Sequence, residues 1–288
     1  MANLLFELQN NFYIGAYSTA INEGSDLTDL DEQQAVERDC FVHRSYIANG
    51  SYDMAMAEIS SDAPMALQAV KLLAQFMSND SAKDGVLATL DEWLEDPACN
   101  SNPTVLIMAA TMYMGAENFE KALKCCQSHA TLEMLAMEVQ ICLKMNRPDV
   151  AEKQLKIMSA MDDDATLTQL ATAWVGIGLG GAKVQEAAYI FQELGDKYNW
   201  TVKLLNGSAC CNMKMGRPEE AERELLDALT KDGKDSNTLA NLVVCALALG
   251  KSTSRYVTQL KLSAPDHPLV VRTAGHSEAF ERAAQGFA

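Results

Sequence analysis

Apolar side chains recur along most of this chain at the spacing of an amphipathic α-helix. In the clearest stretch, Leu205, Ser208, Ala209 and Asn212 follow one another at i, i+3, i+4 and i+7, which places them on one helix face. Val, Ile and Thr are scattered at helical rather than alternating spacing, so the pattern predicts no β-sheet. The chain is therefore expected to be all-α.

Turn residues separate the helical stretches. Gly216 is expected to end one helix, because glycine adopts the left-handed conformation there without a Cβ clash. Pro218 then opens the next helix at its first position, where the missing N–H has no intrahelical partner to lose. The apolar face of that second helix begins with Ala221 and Leu225. The stretch therefore predicts a helix–turn–helix unit.

Alanine recurs at a nearly constant interval. The recurring alanines are Ala20, Ala55, Ala122, Ala151, Ala187 and Ala221. Their separations are 35, 67, 29, 36 and 34 residues, and 67 is about two units. The string KMNRPDVAE at 144–152 returns 70 residues later as KMGRPEEAE. A period near 34 with a small residue at one fixed place is typical of tetratricopeptide-type repeats, and alanine there allows two helices to approach closely.

The predicted fold is a single tetratricopeptide-like α-solenoid over residues 1–288. We expect a right-handed superhelix of about eight helix pairs, with a C-terminal helix near 277–285. The repeats in 1–98 are degenerate, those in 103–263 are clearer, and 264–288 forms a capping segment. No linker rich in Pro, Ser or Gly interrupts the array. Because each repeat buries its apolar face only against its neighbours, such arrays commonly hold another protein.

Charge and composition exclude several partners. The chain has 23 Lys and Arg against 39 Asp and Glu, a formal net charge of −16, and no basic run. Direct binding to nucleic acid or to an anionic membrane is therefore not expected. Neither a secretory signal nor a membrane-spanning stretch is predicted. The chain is expected in the cytoplasm, with its eight cysteines as reduced core thiols.

Three groups of residues have spacings that resemble functional sites. Gly176–Gly181 matches G-x-G-x-x-G, but helical spacing precedes it, so it predicts an enlarged turn rather than a dinucleotide site. Asp162–Asp164 is expected to cap a helix, and Asp39 and His43 to meet on one helix face. The remaining histidines share no motif with His43; they are His129, His267 and His276. The chain is thus expected not to be an enzyme, and no catalytic residue, cofactor or metal is predicted.

The repeat register predicts a concave groove lined by the first helix of each pair. The side chains expected to face it are Glu37, Cys40, Arg44, Ile47, Lys203, Asn206, Cys210 and Met213. The alternative is that some of them merely face solvent. On the groove hypothesis, Arg44→Glu weakens capture of a partner and leaves thermal unfolding nearly unchanged, whereas Ala221→Asp unfolds a tight helix contact.

Several strings exceed what the generic repeat requires. They include NNFYIGAY at 10–17, VERDC at 36–40, LQAVKLL at 67–73, TLTQLA at 166–171 and TLANLVVC at 238–245. In these strings the chain resembles the epsilon subunits of coatomer, the coat of COPI vesicles, especially their plant and algal forms. The resemblance runs from the first predicted helix to the last.

The resemblance implies a non-enzymatic coat component. Epsilon subunits bind the C-terminal region of the coatomer alpha subunit and stabilise it among the other subunits of the heptamer. An Arf-family GTPase recruits that complex to Golgi membranes, where it serves Golgi-to-ER retrograde and intra-Golgi transport. We therefore expect a cytoplasmic protein, peripheral on Golgi membranes and COPI-coated vesicles, with no direct membrane insertion. The alternative is a tetratricopeptide adaptor or scaffold of another cytosolic complex.

Overall fold

The computed structural model describes residues 3–128 and 130–287. Within these residues lie eighteen α-helices, one short 3-10 helix and no β-strand. The all-α prediction is therefore confirmed for the described part of the chain. Contacts between Cα atoms divide the molecule into two compact units, Met1–Leu179 (unit 1) and Gly180–Ala288 (unit 2).

Unit 1 is a stack of helices. Its α-helices are α1 (Phe6–Ile14), α2 (Tyr17–Asp26), α3 (Glu32–Ala48), α4 (Tyr52–Glu58), α5 (Met65–Ser78), α6 (Lys83–Glu95), α7 (Pro97–Asn100), α8 (Pro103–Gly115), α9 (Phe119–Cys126), α10 (Leu132–Lys144), α11 (Pro148–Met161) and α12 (Thr166–Leu179); the 3-10 helix is Asp80–Ala82. Helix α3 contacts α5, α5 contacts α8, α8 contacts α10 and α10 contacts α12. These are the neighbour contacts expected of stacked repeats.

The first and last helices of unit 1 meet. Helix α1 contacts α12 in addition to α2 and α3. Tyr13 of α1 packs against a buried cluster that includes Val139 of α10 and Leu167 and Val175 of α12. Helix α1 is anchored further by Leu8, which is buried with Phe41 of α3. Unit 1 thus joins residues 6–14 to residues 166–179 directly.

Unit 2 continues the same pattern of helices. Its helices are α13 (Lys183–Lys197), α14 (Val202–Lys214), α15 (Pro218–Lys231), α16 (Ser236–Ala248), α17 (Ser254–Ser263) and α18 (Pro268–Gln285). Helix α14 contacts α13, α15 and α16, and α16 contacts α17. Ala209, Leu225 and Leu242 form part of the core between them. Helix α18 contacts α17 and contains no buried residue.

The recurring alanines lie between helices. The six are Ala20, Ala55, Ala122, Ala151, Ala187 and Ala221, and none is more than 1% exposed. Ala221, for example, belongs to the buried cluster that also holds Ala209 of α14 and Leu225 of α15. A single methyl group at this position lets helix axes come within about 8–10 Å of one another. The repeat period therefore marks the points of closest helix approach.

Residues in the left-handed backbone conformation follow the first helix of several helix pairs. Gly216 adopts φ 72°, and Asn146, which takes its place in the matching string 70 residues earlier, adopts φ 57°. Asparagine is one of the few residues other than glycine that visit this region routinely. After α8 the left-handed residue is Glu117, at φ 58°, and not Gly115. Gly115 is instead the last residue of α8, where an added Cβ would lie 3.0 Å from the ring of Phe76.

The C-terminal helix is twice as long as the sequence pattern predicted. We expected it near 277–285, but α18 begins at Pro268. Proline occupies the first turn, and Nδ1 of His267 accepts a hydrogen bond from the Leu269 N–H at 3.2 Å. The helix therefore starts at a proline and an N-cap histidine rather than at an apolar residue. The boundaries 1–98, 103–263 and 264–288 remain predictions.

Gly207→Ala is expected to destabilise unit 2. Gly207 lies in α14, and an added Cβ would stand 2.5 Å from two ring carbons of Phe191, which is 1% exposed. Overpacking of this kind costs about 1–3 kcal/mol, more than the roughly 1 kcal/mol that alanine gains over glycine in a helix. Chemical denaturation measures the change. Gly275→Ala in α18 is the control, because its Cβ meets nothing within 4 Å; equal midpoints for the two variants would contradict the packing argument.

Candidate functional site

A cavity of about 1030 Å³ opens among the helices of unit 1. It is lined by residues of α1 and α3 and by the N-terminal parts of α5, α8, α10 and α12. This is the side of the repeats that the sequence pattern assigned to a groove. The residues that decide its chemistry are Asn10, Glu37, Arg44 and Glu133.

Arg44 is held inside unit 1. Its guanidinium forms an ion pair with Glu133 of α10, and its side chain is 11% exposed. The same guanidinium lies 4.6 Å from the ring centroid of Phe12 and 4.8 Å from that of Phe41, close enough for cation–π attraction. Burial alone would lower the pKa of Arg44, but the Glu133 carboxylate raises it, so Arg44 is charged. Arg44 thus joins α1, α3 and α10.

Three other predicted groove residues lie on the same helix. Glu37 is half-buried and accepts a hydrogen bond from Nε2 of Gln9 at 2.8 Å. Burial raises the pKa of the Glu37 carboxyl, and the Gln9 hydrogen bond opposes that shift. Cys40 and Ile47 are 2% and 7% exposed, and burial raises the pKa of the Cys40 thiol to about 12. Cys40 and Ile47 therefore expose little surface to a partner, whereas part of Glu37 remains exposed.

As in unit 1, some of the predicted groove residues of unit 2 contact other helices of the unit, and others keep exposed surface. Asn206 donates a hydrogen bond to Oγ1 of Thr238 at 2.7 Å and accepts one from Nδ2 of Asn241 at 2.8 Å. These bonds join α14 to α16, so Asn206 fixes one first helix against the next. Met213 packs against the core cluster of Ala209.

Lys203 and Cys210 complete the predicted set. Lys203 is exposed and Cys210 is half-buried. Burial raises the pKa of the Cys210 thiol, which makes it a weak nucleophile at neutral pH. Although the residue as a whole is exposed, burial lowers the pKa of the Lys203 ammonium group to about 8. Whether any of the eight contacts a partner remains a proposal.

Two residues of the cavity were not found by sequence reasoning. Glu133, the partner of Arg44, lies 89 residues further along the chain, and Asn10 lies on α1. Asn10 is 5% exposed, and its Nδ2 has no hydrogen-bond partner among the described residues. Helical spacing shows which face a residue occupies but not which distant helix it meets. No local pattern could have paired Arg44 with Glu133.

His43 does not pair with Asp39 as the spacing suggested. Asp39 forms its ion pair with Arg38, at 2.7 Å, and the carboxylate nearest to His43 belongs to Glu58, at 3.8 Å. Burial lowers the pKa of His43, and Glu58 partly offsets that shift. The neighbouring arginine is the better partner for Asp39 because it is charged at every physiological pH. His129 lies outside the described residues.

The glycine string takes a different structure from the predicted turn. Gly176 and Gly178 lie inside α12, and Gly180 and Gly181 form the turn, with φ 80° and 60°. A Cβ on Gly178 would stand 2.8 Å from Leu143, so close packing against α10 explains that glycine. A helix, not a strand, precedes the turn. The arrangement therefore lacks the strand–turn–helix geometry of a dinucleotide site.

Thiols and acidic turns provide no metal centre within the described residues. All eight cysteines are free and seven are buried. Burial raises the pKa of Cys126 and Cys211 to about 12 each, so both are neutral thiols. No group of three or more His, Cys, Asp or Glu residues in the described chain could hold a metal ion. The exposed Asp162–Asp164 turn follows α11, and Oδ1 of Asp162 accepts the N–H of Asp164 at 3.2 Å.

Solved structures define the class of this protein. A tetratricopeptide repeat protein from Parabacteroides merdae superposes with a TM-score of 0.60 at 16% identity, covering 89% of this chain and 96% of the other. A chain of the APC/C hetero-tetramer Cut9–Hcn1 gives a TM-score of 0.62 at 13% identity, covering 93% and 54%. The predicted all-α, tetratricopeptide-type solenoid class is therefore confirmed.

Sequence relatives define the family within that class. The sequence model described as Coatomer epsilon subunit matches residues 1–288. Coatomer subunit epsilon-1 of Arabidopsis thaliana is 51% identical over 284 residues, covering 99% of this chain and 97% of the relative. Coatomer subunit epsilon of Dictyostelium discoideum is 34% identical over 276 residues, covering 92% of each. The chain belongs to the coatomer epsilon subunit family, and is thus a subunit of the COPI coatomer.

None of the helices in the described residues combines the length and apolar character needed to cross a membrane.

Proposed function

We propose that this coatomer subunit is a non-enzymatic structural protein that binds the C-terminal region of the alpha subunit and stabilises it within the heptamer. The observation that carries the proposal is the match to epsilon subunits over the whole of residues 1–288. The repeat fold supports it, because stacked helix pairs present long surfaces to other proteins. On this proposal the chain acts in Golgi-to-ER retrograde and intra-Golgi transport.

The site of action proposed is the cytoplasmic face of Golgi membranes and COPI vesicles. With 39 acidic against 23 basic residues, the chain itself offers an anionic membrane little attraction. Attachment would therefore pass through other coatomer subunits and an Arf-family GTPase. The subunit's own part in that assembly is to hold its neighbour in the coat.

Unit 2 carries apolar surface that a partner could cover. Val244 and Leu247 on α16 are 49% and 65% exposed. Leu262 on α17 and Phe280 on α18 are 81% and 75% exposed. Terminal repeats normally present a polar outer face, and exposed apolar patches mark interaction sites. We call these four residues the C-terminal apolar set, and its exposure favours a bound state over an isolated one.

Co-expression with the C-terminal third of a coatomer alpha subunit tests the proposal. Size-exclusion chromatography is expected to show a stoichiometric complex. Separate elution of two folded proteins would overturn binding to the alpha subunit and favour an adaptor role in another complex. Unbiased co-purification would then identify the partner.

Leu247→Asp is expected to weaken that complex by about tenfold or more, because a charge at an apolar contact costs at least 1.4 kcal/mol of binding free energy. Thermal unfolding of the free subunit should not change, since Leu247 is 65% exposed. Calorimetric titration measures the affinity. Tyr189→Asp on α13, a residue 62% exposed and outside the C-terminal apolar set, is the matched control. Wild-type affinity in Leu247→Asp would remove α16 from the interface.

A further inference from the structure

A second opening of unit 1, of about 620 Å³, lies between α5 and α6. It is lined by ten described residues of the two helices and the segments that adjoin them, and none of the ten lines the larger cavity of unit 1. Its floor is apolar, because Leu72 of α5 and Val86 of α6 are each 6% exposed. We call this opening the α5–α6 cleft.

The α5–α6 cleft coincides with a break in the alanine repeat. The 67 residues from Ala55 to Ala122 span two units, so the intervening alanine is expected near 88 or 89. Ala88 stands there but is exposed, unlike the six buried alanines, and the adjacent Thr89 lines the cleft. In this repeat the cleft therefore lies where the others have a buried alanine.

Gly85 is a helical glycine that the fold itself does not require. It lies in the first turn of α6, its backbone is not left-handed, and a Cβ added there would meet nothing within 4 Å. Glycine weakens a helix relative to alanine, so its presence needs a reason. Glycine serves where another backbone must approach closely, and Gly85 lines the cleft. It points to an occupant whose main chain packs against α6.

The α5–α6 cleft is free of carboxylates in an acidic unit. Residues 1–179 contain 26 Asp and Glu against 10 Lys and Arg, but no Asp or Glu is among the ten lining residues that the structure describes. Lys71 is the one charged side chain among those ten. Its Nζ donates to the Ile59 carbonyl at 2.6 Å and pairs with no carboxylate of the described chain. An ammonium group has three hydrogens, so Lys71 can also donate to an anion.

Two further donors line the α5–α6 cleft. Gln75 is exposed and Trp93 is half-buried. Neither the Gln75 amide nor the Trp93 indole N–H has an acceptor among the described residues. A carboxylate would accept from these groups and from Lys71, and the bonds would be strengthened by its charge. Leu72 and Val86 would bury an apolar side chain beside it.

We propose that the α5–α6 cleft binds a short acidic segment of a partner polypeptide. Lys71 holds a carboxylate of the segment, and Leu72 and Val86 bury a neighbouring apolar side chain. The lack of a side chain at Gly85 lets the main chain of the segment approach α6. The inference goes beyond the function proposed above and does not depend on the alpha subunit, so its failure would leave that function unchanged.

The indole signals of the three tryptophans report binding to the cleft. The probes are a blocked pentapeptide with a central leucine between two glutamates, and its counterpart with lysines in place of the glutamates. Proton–nitrogen correlation spectra of the isotope-labelled whole chain are recorded at about 0.15 M salt. The glutamate peptide is expected to shift the Trp93 signal saturably by about 1 mM peptide, and the lysine peptide is not.

Trp174 and Trp200 do not line the α5–α6 cleft, and their signals are the internal reference. Trp93→Phe assigns the third signal. No saturable shift of the Trp93 signal, or equal shifts from the two peptides, would overturn the proposal. The same shift from inorganic phosphate alone would reduce the cleft to a simple anion site and would also overturn it.

Charge-matched variants locate the binding. Lys71→Gln should weaken binding of the glutamate peptide by about tenfold. Lys124→Gln on α9, a side chain 69% exposed, changes the net charge equally and should leave the affinity within about twofold. Equal weakening by the two variants would mean a general effect of charge and would overturn the site.

Gly85→Ala separates binding from stability. Alanine should raise the unfolding midpoint, because it is the better helix former and its Cβ meets nothing. The same methyl group should weaken peptide binding by about fivefold or more, because it stands where the main chain of the segment packs. Gly275→Ala in α18, whose Cβ is equally unobstructed, should leave the affinity unchanged. Wild-type affinity in Gly85→Ala would overturn the proposal.

Discussion

Replacing Arg44 with glutamate is expected to lower the free energy of unfolding by about 3–5 kcal/mol. The substitution removes the cation from the rings of Phe12 and Phe41 and leaves Glu133 without its partner. It also places a second carboxylate beside Glu133 in a site where the Arg44 side chain was 11% exposed. A buried, uncompensated charge is among the most costly single changes in a protein.

Thermal and chemical unfolding of the free subunit measure this effect. Arg147→Glu is the control, because Arg147 pairs with Asp149 at the surface, where the two side chains are 57% and 59% exposed. The surface variant should unfold close to the wild-type midpoint, since exposed ion pairs contribute little. If Arg44→Glu unfolded at the same midpoint as Arg147→Glu, Arg44 would be a free groove residue. Helical spacing alone predicts an unchanged midpoint for Arg44→Glu, because spacing does not show that Arg44 pairs with Glu133.

Ala221→Asp is expected to destabilise unit 2 by roughly 3–5 kcal/mol. Ala221 is 0% exposed in the cluster that joins α14, α15 and α16. A carboxylate there has neither water nor a cation, and it separates helices that a methyl group allows to touch. Because Leu225 and Leu242 belong to the same cluster, the substitution also disrupts their packing.

The same unfolding measurements check this prediction. Ala274→Asp is the matched control, since Ala274 lies on the exposed helix α18. It should show only the small loss expected of aspartate in a helix. A wild-type midpoint for Ala221→Asp would mean that the closest approach of α14 and α15 lies elsewhere.

Local rules predicted the helices and the turns between them. Gly216 and Pro218 mark the end of α14 and the start of α15 in the sequence, and the structure places both there. Asn146 takes the left-handed conformation at the matching turn, as its place in the repeated string implies. These features depend on residues within one turn of each other. The sequence therefore contains all the information needed to assign them.

Such local rules cannot predict contacts between helices that are far apart in the sequence. Helical spacing places Arg44 and Cys40 on one helix face, and the structure adds that Arg44 contacts α1 and α10 of the same unit. Spacing likewise does not show that Asn206 bonds to Thr238 of α16. Period and spacing give the direction of a side chain but not the element that it meets. Spacing could not group the carboxylates that line the unit 1 cavity for the same reason, since they come from three separate stretches of chain.

The meeting of α1 with α12 bears on the order in which unit 1 folds. In a simple repeat array, each repeat needs only its neighbours, so structure can grow from the first repeat as it is synthesised. Helix α1 packs with Leu167 and Val175 through Tyr13, and those residues emerge from the ribosome long after it. Closing so long a loop is entropically unfavourable until the intervening helices are ordered. Helix α1 is therefore among the last elements of unit 1 to find all of its contacts, and the unfinished chain exposes the apolar side of α1 until then.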